Sequence, residues 1–425
     1  MNRRYFLMGS AAAASAARAS SLASANGTIR VACVGLKGRG RDHIMAFGKM
    51  QNIQIAALCD VDDSITAERM KDVEKLDAGR PATFRDIRKV LDDKSIDAIS
   101  IATPNHWHSL MSIWAMQAGK DVYCEKPASH NIFESKQIVA AAKKYNRIIQ
   151  HGSQTRSSPS IQEAFKQMRE GLLGEVYMTR GLCYKPRNTI GKAPVEPVPA
   201  GVDYDLWTGP APKREFTKNR FHYTWHWFWD TGNGDFGNQG IHEVDICRWG
   251  MGVTYPTKIS ATGAKVMFDD DQETPNVLMV DYEFNVDGKK KLMVFEVRHW
   301  HTNDEGGSKI GNLFYGEKGY MVVDGYNKAT TFMGQKGEPG PKWSGAGDHY
   351  ANFFQAMRSR KVSDLNCPIE EGAISSTLMH LGNIAYRVGR TLTFDEKTMS
   401  VVDDKEANKL FTRQYRKPYV VPEQV

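Results

Sequence analysis

The sequence predicts a doubly wound α/β domain with a parallel sheet, followed by an α+β domain with a mostly antiparallel open sheet. From residue 28 to about residue 151, short β-rich runs alternate with helical stretches, which is typical of a parallel sheet covered by helices. A glycine-rich turn at residues 35–40 follows the first of these runs. After a helix predicted near residues 160–170, longer β segments replace the alternation. The chain is long enough for two sizeable cores.

The first domain is predicted to span residues 28–151 and to contain five short apolar strands. These are residues 29–34, 53–59, 98–102, 122–124 and 148–151. Right-handed crossovers between such strands give a Rossmann-type sheet, with its ligand crevice at the carboxyl ends of the strands. Binding residues are therefore expected directly after these runs.

The second domain is predicted to span residues 152–395, with residues 396–425 as a carboxyl-terminal extension. Its predicted strands are residues 177–184, 258–266, 276–284, 291–298, 312–316 and 320–323. Two helices are expected near residues 348–359 and 370–389. Residues 185–220 are rich in proline, glycine and charge, which favours a long loop.

The first 25 residues have the pattern of a twin-arginine export signal. The pair Arg3 and Arg4 precedes a weakly apolar, alanine-rich run, and residues 23–25 fit an A-x-A cleavage site. We expect cleavage near Ala25 and a periplasmic location; an ordinary secretory signal or a frayed helix is the alternative. The twin-arginine route carries folded proteins, so it suits a chain that closes around a ligand before export.

Composition narrows the functional class. With 41% hydrophobic and 25% charged residues, no apolar run of about eighteen residues remains beyond the signal, so no membrane span is predicted. The net charge of +7 is too mild to indicate nucleic-acid binding, since three of the arginines lie in the signal. The six cysteines lack paired spacing, which favours free thiols, and no cluster has metal-ligand spacing.

The glycine-rich turn is the first candidate binding element. Gly35, Gly38 and Gly40 permit a tight turn and a close backbone approach, and the helix that follows offers unpaired N–H groups to a pyrophosphate. The spacing is G-x-x-G-x-G, and Lys37 and Arg39 occupy positions within it. Asp60 ends the second strand, where an acidic side chain binds ribose hydroxyls. The pattern predicts dinucleotide binding and favours NAD, because Asp60 would repel a 2′-phosphate. Lys37, Arg39 and Arg41 keep NADP open.

Residues after the third strand run extend the predicted crevice. Thr103, Pro104 and Asn105 stand at its carboxyl end, followed by His106 and His108. These residues are candidates for cofactor contact, and a helix-capping loop with one polar face is the alternative.

A resemblance follows from the next motif. Glu125-Lys126-Pro127 comes directly after the strand at residues 122–124, and Gly240, His242 and Asp245 form a later G-x-H-x-x-D. With the glycine turn and Asp60, these motifs resemble the Gfo/Idh/MocA oxidoreductases over nearly the whole mature chain. The resemblance implies that Lys126 contacts a substrate hydroxyl and the nicotinamide ribose, and that His242 is an acid/base. Oxidising an alcohol requires a base within hydrogen-bond reach of the hydroxyl, which both residue types can supply. A solvated strand-end lysine and a core histidine are the alternatives.

One position departs from the family pattern. Where relatives commonly carry Asp two residues before the motif glycine, this chain has Asn238, which binds hydroxyls but cannot accept a proton. Asp235 is a candidate to compensate. Further pocket candidates are Arg156, Tyr184, Arg187, Trp225, Trp227, Asp245, Arg298 and His301. Aromatic faces at residues 221–229 either stack on sugar rings or anchor a loop to the core.

These observations predict a sugar or glycoside substrate and a cofactor that is recycled within the enzyme. A periplasm maintains no pool of free NAD, so the net reaction is expected to be redox-neutral. In one hypothesis a sugar is oxidised and a second carbonyl sugar is reduced; in another, transient oxidation permits glycoside cleavage. A non-catalytic sugar or dinucleotide sensor is the third. An exposed sheet face in the second domain predicts a homo-oligomer, a dimer or tetramer.

Overall fold

The computed structural model describes residues 27–425, and it confirms the predicted fold class. The predicted export signal and its cleavage site lie outside the described residues. Within the described range, no helix is both long enough and apolar enough to cross a membrane. All six cysteines are buried free thiols, as the spacing predicted.

The first domain is a parallel sheet of six strands in the order β3-β2-β1-β4-β5-β6. Its strands are β1 Ile29–Val34, β2 Ile53–Cys59, β3 Ala82–Phe84, β4 Ala98–Ile101, β5 Asp121–Cys124 and β6 Ile149–His151. Its helices are α1 Arg39–Phe47, α2 Asp63–Lys75, α3 Ile87–Asp92, α4 Asn105–Gln117 and α5 Ile132–Tyr145. The direction of strand addition reverses between β1 and β4, which places the ligand crevice beyond the ends of these two strands.

The second domain contains a sheet of ten strands, in the order β14-β13-β12-β11-β7-β10-β9-β8-β15-β16. Its strands are β7 Val176–Cys183, β8 Lys258–Ala264, β9 Val277–Val286, β10 Lys289–Arg298, β11 Ile310–Gly316, β12 Gly319–Asp324, β13 Lys328–Met333, β14 Glu338–Ser344, β15 Leu392–Asp395 and β16 Ser400–Val401. Its helices are α6 Pro159–Arg169, α7 Tyr204–Thr208, α8 Ile241–Met251, α9 His349–Ser359, α10 Ile369–Val388 and α11 Lys405–Lys409. The pairing is antiparallel except between β7 and β10, which run parallel.

One face of this larger sheet packs on α8 and α10. The other is exposed along β9, although Leu182 of β7 and Leu313 of β11 on that face are buried. Along β9, Leu278, Val280 and Tyr282 are buried while Met279 and Asp281 between them are exposed. This period of two is the signature of a sheet with one covered face. The packed face fixes α8, which carries His242, against the sheet.

Residues 185–230 form a covering segment that passes over the crevice. The segment has only α7 and two short 3₁₀ turns as regular structure, so the predicted loop is largely correct. The N–H of Asp203 donates to the carbonyl of Val61 at 2.9 Å, and the N–H of Asp63 donates to the carbonyl of Gly201 at 3.1 Å. An aromatic cluster that includes Trp207 packs beside Val61. The segment is therefore attached to the first domain, although it follows the second domain's first strand in sequence.

The chain returns to the first domain after α11. Tyr419 and Val421 are buried in its core, and the ring of Tyr419 lies 5.4 Å from that of Trp107 in α4. The carboxyl-terminal extension is thus part of the packing around the crevice.

Candidate active site

A cavity of about 800 Å³ opens where β1, β4 and β5 end, between the two domains and beneath the covering segment. Its walls include most of the residues that the sequence placed there. These are Gly35, Lys37, Gly38, Arg39, Asp60, Thr103, Pro104, Asn105, His108, Glu125, Lys126, Trp225, Asn238 and His242.

The glycine turn is shaped by backbone contacts that leave no room for side chains. A Cβ on Gly40 would lie 1.8 Å from the carbonyl oxygen of Gly35, and a Cβ on Gly35 would lie 2.7 Å from the backbone nitrogen of Thr103. Gly38 has φ of 60°, the left-handed region that favours glycine. The turn therefore brings its backbone against the cavity, which is the shape a pyrophosphate requires.

The helices that begin at the cavity differ from their neighbours in how they are capped. The N-cap residues of α2, α3 and α5 are Asp62, Asp86 and Asn131, and their side chains accept hydrogen bonds from backbone N–H groups of the first turn. α1 and α4 begin after Gly38 and Pro104 and have no side-chain cap. Their first N–H groups remain available to an anionic ligand, and the helix dipole favours negative charge there.

Asp60 supports the turn as well as lining the cavity. Its two carboxylate oxygens accept the N–H of Leu36 at 2.7 Å and the N–H of Asp62 at 3.0 Å. Burial raises the pKa of Asp60 to about 6, against the effect of these two bonds. Each oxygen retains a lone pair, so the carboxylate can still receive a ribose hydroxyl. Together with the open helix starts, this fits a dinucleotide in the cavity.

Glu125 lies in the cavity wall at the centre of a network of polar contacts. Its Oε1 contacts Arg39 Nε at 3.0 Å and His43 Nε2 at 3.1 Å, and accepts a hydrogen bond from Gln154 Nε2 at 3.2 Å. Burial alone would raise the pKa of Glu125, but Arg39 and His43 hold it well below its usual range. A fixed negative charge therefore stands next to Lys126 in the chain.

Lys126 and His242 face the same cavity from different domains. Lys126 Nζ donates to the carbonyl of Asn238 at 2.6 Å, and burial lowers the pKa of the ammonium. His242 is buried, and burial together with the charge of Lys126 lowers its pKa to about 3. In the described part of the chain neither ring nitrogen of His242 has a hydrogen-bond partner, and its ring lies 5.0 Å from that of Tyr326. The imidazole is thus neutral and available to a ligand.

A π-helical turn at Phe236–Gly240 leads into α8 and positions the polar residues of this wall. Such turns are rare and frequently occur at functional sites. The side chain of Gln239 donates to Tyr326 Oη at 2.6 Å and to Glu243 Oε1 at 3.1 Å. Burial raises the pKa of Glu243 to about 8, so a protonated carboxyl group stands directly behind this wall.

Several predicted substrate residues do not line the cavity within residues 27–425. Asp245 forms a buried ion pair with Arg156, at 2.8 Å between Nε and Oδ2. Asp235 pairs with Arg187 at 2.7 Å and contacts His299 Nε2 at 2.8 Å. In each case burial would raise the pKa of the carboxyl, but the paired cation holds it well below its usual range. Neither acid can accept a proton from a substrate in this arrangement.

Tyr184 and Trp227 are also engaged elsewhere. The hydroxyl of Tyr184 donates to Glu305 Oε1 at 2.6 Å, and the ring of Trp227 lies 5.5 Å from that of His299. Asp235 retains an indirect connection to the site, because Asn238 Nδ2 donates to it at 3.2 Å. His106, Arg298 and His301 likewise do not line the cavity within the described residues.

The cavity also contains residues that the sequence did not single out. Gln154, Lys185, Trp207, Gln239 and Tyr326 all line it. They come from the covering segment, from a strand end and from the second sheet. Their placement depends on long-range packing, and a single sequence carries no local signal for it.

The fold and this site together define an oxidoreductase with an NAD-binding Rossmann fold. A profile described as the NAD-binding Rossmann fold of the oxidoreductase family matches residues 29–153, and one for the same family's C-terminal alpha/beta domain matches residues 176–421. The chain belongs to the Gfo/Idh/MocA oxidoreductase family.

Curated relatives match over part of their length. A glycosyl hydrolase family 109 protein of Shewanella pealeana is 28% identical over 153 residues, which is 35% of this chain and 34% of the relative. Levoglucosan dehydrogenase of Pseudarthrobacter phenanthrenivorans is 38% identical over 96 residues, or 23% of this chain and 25% of the relative. The rhizopine catabolism protein MocA of Rhizobium meliloti is 25% identical over 239 residues, or 56% of this chain and 62% of the relative. Each match spans less than two thirds of the relative.

Solved structures share the fold over most of the chain. The WlbA dehydrogenase of Bordetella pertussis, solved with NADH and UDP-GlcNAcA, has a TM-score of 0.65 at 19% identity, covering 87% of this chain and 99% of that one. The aldose-aldose oxidoreductase of Caulobacter crescentus, solved with glycerol, has a TM-score of 0.65 at 19% identity, covering 86% and 100%.

Proposed function

We propose that the protein is an NAD-dependent oxidoreductase that acts on a hydroxyl group of a sugar or glycoside and retains its cofactor between turnovers. The observation that carries this proposal is the position of Lys126 and His242 in one cavity with the glycine turn and Asp60. NAD would be held by the turn at Gly35–Gly40, by the open starts of α1 and α4, and by Asp60. When bound, the nicotinamide supplies the carbon that takes up hydride.

Lys126 is the proposed base. Burial lowers the pKa of the Lys126 ammonium, which favours the neutral amine that a base requires, and the bond to the Asn238 carbonyl orients Nζ. His242 is held neutral, so it offers one N–H donor and one acceptor to the substrate hydroxyl. We therefore assign proton removal to Lys126 and orientation of the hydroxyl to His242, with Asn238 as a further hydroxyl ligand.

A carbohydrate substrate fits the outer wall of the cavity. Tyr223 and Trp225 supply aromatic surface, and Gln239 and Asn238 supply amide groups. Aromatic faces pack on the C–H faces of sugar rings while amides bind hydroxyls. The sugar-acting names of several relatives support the same class of substrate.

The choice of NAD over NADP is part of the proposal. Asp60 occupies the position that a 2′-phosphate would approach, and the cavity-lining Arg85 is already paired with Asp63. Lys37 remains the one predicted basic residue of the turn without a carboxylate partner in the described chain. We expect NAD to bind at least tenfold more tightly than NADP, and Asp60→Ser to reduce that ratio.

Export, periplasmic location and oligomerisation complete the proposal. The sequence pattern of the first 25 residues supports twin-arginine export of the folded protein. The open face of the second sheet exposes Tyr177, Met279 and Leu292, and apolar surface of this kind favours association with a second copy.

A second candidate reaction is glycoside cleavage by transient oxidation. The observation that favours it is the similarity to glycosyl hydrolase family 109 proteins and to an alpha-N-acetylgalactosaminidase of Shewanella oneidensis, 25% identical over 152 residues, which is 35% of this chain and 33% of that protein. Nitrophenyl glycosides at catalytic enzyme concentration, without an added acceptor, should release nitrophenol only if this second reaction occurs.

The first experiment is to denature the purified protein and identify the released nucleotide by mass spectrometry. Stoichiometric NAD(H) supports a retained cofactor, and empty protein that binds NAD weakly contradicts it. Lys126→Met should lower turnover at least about 100-fold, the range of general acid-base catalysis. Lys136→Met is the control, because Lys136 is an exposed lysine that donates to the Met399 carbonyl, away from the cavity. Full turnover in Lys126→Met would contradict the assignment.

A further inference from the structure

A second cavity, of about 270 Å³, lies between α10 and the chain near residues 229–233 and 410–414. It shares no lining residue with the cofactor cavity. Its lining includes His130, Trp229, Asp230, Asn383, Arg387 and Arg413.

Two arginines line this cavity without ion pairs. Arg413 Nη1 donates to the carbonyl of Asp230 at 2.8 Å and to Nδ1 of His130 at 3.1 Å, and Arg387 lies over the ring of Trp229 at 5.0 Å. In the part of the chain that the structure describes, neither guanidinium has a carboxylate partner. Burial lowers the pKa of both groups, because the surrounding carboxylates are too distant to offset the loss of water.

Buried polar atoms in the same wall also lack partners. Asn383 is 4% exposed, and although its Nδ2 donates to the carbonyl of Asn233 at 3.1 Å, its Oδ1 has no hydrogen-bond partner among residues 27–425. His130 is 9% exposed. Because an arginine can only donate, Nδ1 of His130 must accept, which assigns the ring proton to Nε2. Nε2 likewise has no partner in the described chain.

One acidic side chain lines the cavity, and it is already paired. The carboxylate of Asp230 contacts Arg214 Nε at 2.8 Å. The remaining charge of the wall is therefore positive, with the guanidinium groups and His130 Nε2–H as donors and Asn383 Oδ1 as an acceptor. Leaving the buried His130 Nε2–H and Asn383 Oδ1 unpaired is costly, and a ligand with complementary atoms would remove that cost.

We propose that this second cavity binds a small hydroxylated carboxylate, of the size of a six-carbon sugar acid. The carboxylate would bind Arg387 and Arg413, since charge-assisted bonds to guanidinium are the strongest available here. A hydroxyl of the same ligand would donate to Asn383 Oδ1. The volume lies just below the range of about 300–1000 Å³ typical of drug-sized ligands, which suits a ligand smaller than a nucleotide.

Calorimetric titration of the full chain with D-glucuronate tests the proposal. Arg387→Gln should weaken binding at least tenfold, and this residue has no hydrogen bond whose loss would affect folding. The matched control is Arg390→Gln, which removes a nearby exposed arginine that is paired with Asp404 outside the cavity. Lys126→Met should leave this binding unchanged, because it alters only the cofactor cavity.

D-Glucose and inorganic phosphate separate the two parts of the proposed chemistry. Glucose has hydroxyls without the charge, and phosphate has the charge without a sugar skeleton, so both should bind at least tenfold more weakly than glucuronate. Equal binding of glucose would overturn the role of the arginines, and equal binding of phosphate would overturn the role of Asn383. Absence of binding, or binding lost in Lys126→Met and retained in Arg387→Gln, would overturn the second site.

Discussion

Substituting Gly40 with alanine should disable the nucleotide-binding turn by steric overlap alone. The new Cβ would lie 1.8 Å from the Gly35 carbonyl oxygen, so the two backbone segments would have to separate by roughly 1.5 Å to restore ordinary contact. Gly35 has no space to move away, because the backbone of Ala102 and Thr103 lies close on its other side. A Cβ added to Gly35 would lie 2.7–2.8 Å from their backbone atoms. Overpacking of this kind costs about 1–3 kcal/mol of stability. A misplacement of about 1 Å in a binding element typically costs about 100-fold in function.

We therefore expect Gly40→Ala to weaken NAD binding by about 100-fold, which corresponds to about 2.7 kcal/mol. Calorimetric titration of cofactor-free protein measures the affinity, and urea unfolding measures the stability. Gly38→Ala is the matched control, since an added Cβ there would meet no atom within 4 Å and only its φ of 60° is unfavourable. Wild-type affinity in Gly40→Ala together with weakened binding in Gly38→Ala would refute the steric reasoning.

Three further predictions concern stability and reactivity. Asp245→Asn should cost about 3 kcal/mol in urea unfolding, because it leaves the buried Arg156 guanidinium without its main partner. Asp404→Asn, which alters the surface pair with Arg390, should cost much less because solvent screens that pair. Equal losses in the two variants would contradict the burial argument. Burial lowers the pKa of His380 from 6.5 in the unfolded chain to about 3 in the folded protein. The neutral imidazole therefore contributes its full stabilisation above pH 6.5. As the pH falls below 6.5, the free energy of unfolding should decrease by about 1.4 kcal/mol per pH unit. His380→Gln should flatten the acid side of the stability profile, and an unchanged slope would show that the group is not neutral when folded. The six buried thiols should react with a disulfide reagent only on unfolding, and rapid labelling of folded protein would contradict their burial.

The first domain could be predicted almost completely because its signals are local. β1 and β2 were located to the residue from apolar runs of β-branched and small side chains. β3 was missed, since Ala82–Phe84 is a three-residue edge strand without a buried side chain. The hairpin of β13 and β14 was missed for a related reason: β14 contains two prolines and is mostly exposed, so it lacks alternation and cannot donate fully to a ladder.

Site residues that directly follow a strand could be predicted from the sequence. Residues whose role depends on an ion pair with a distant side chain could not. Gly35, Asp60 and Lys126 line the cavity because parallel strands end at the same edge of the sheet. Asp235 and Asp245 have the residue type of a substrate ligand, but buried arginines from distant parts of the chain neutralise them. A partner about 50 to 90 residues away leaves no pattern in one sequence, so a functional acid and a structural one look the same there.

The attachment of the covering segment bears on how quickly a nucleotide could be exchanged. The bonds from Asp203 to Val61 and from Asp63 to Gly201 join the segment to the same domain that carries the glycine turn. Arg187 of the same segment pairs with Asp235, so the segment also connects to the second domain and a hinge between the domains could not open freely. Nucleotide release would instead require local detachment of the segment, at a rate set by its own opening equilibrium. The residence time of the cofactor would then depend on the covering segment and could be altered without changing any residue that performs chemistry.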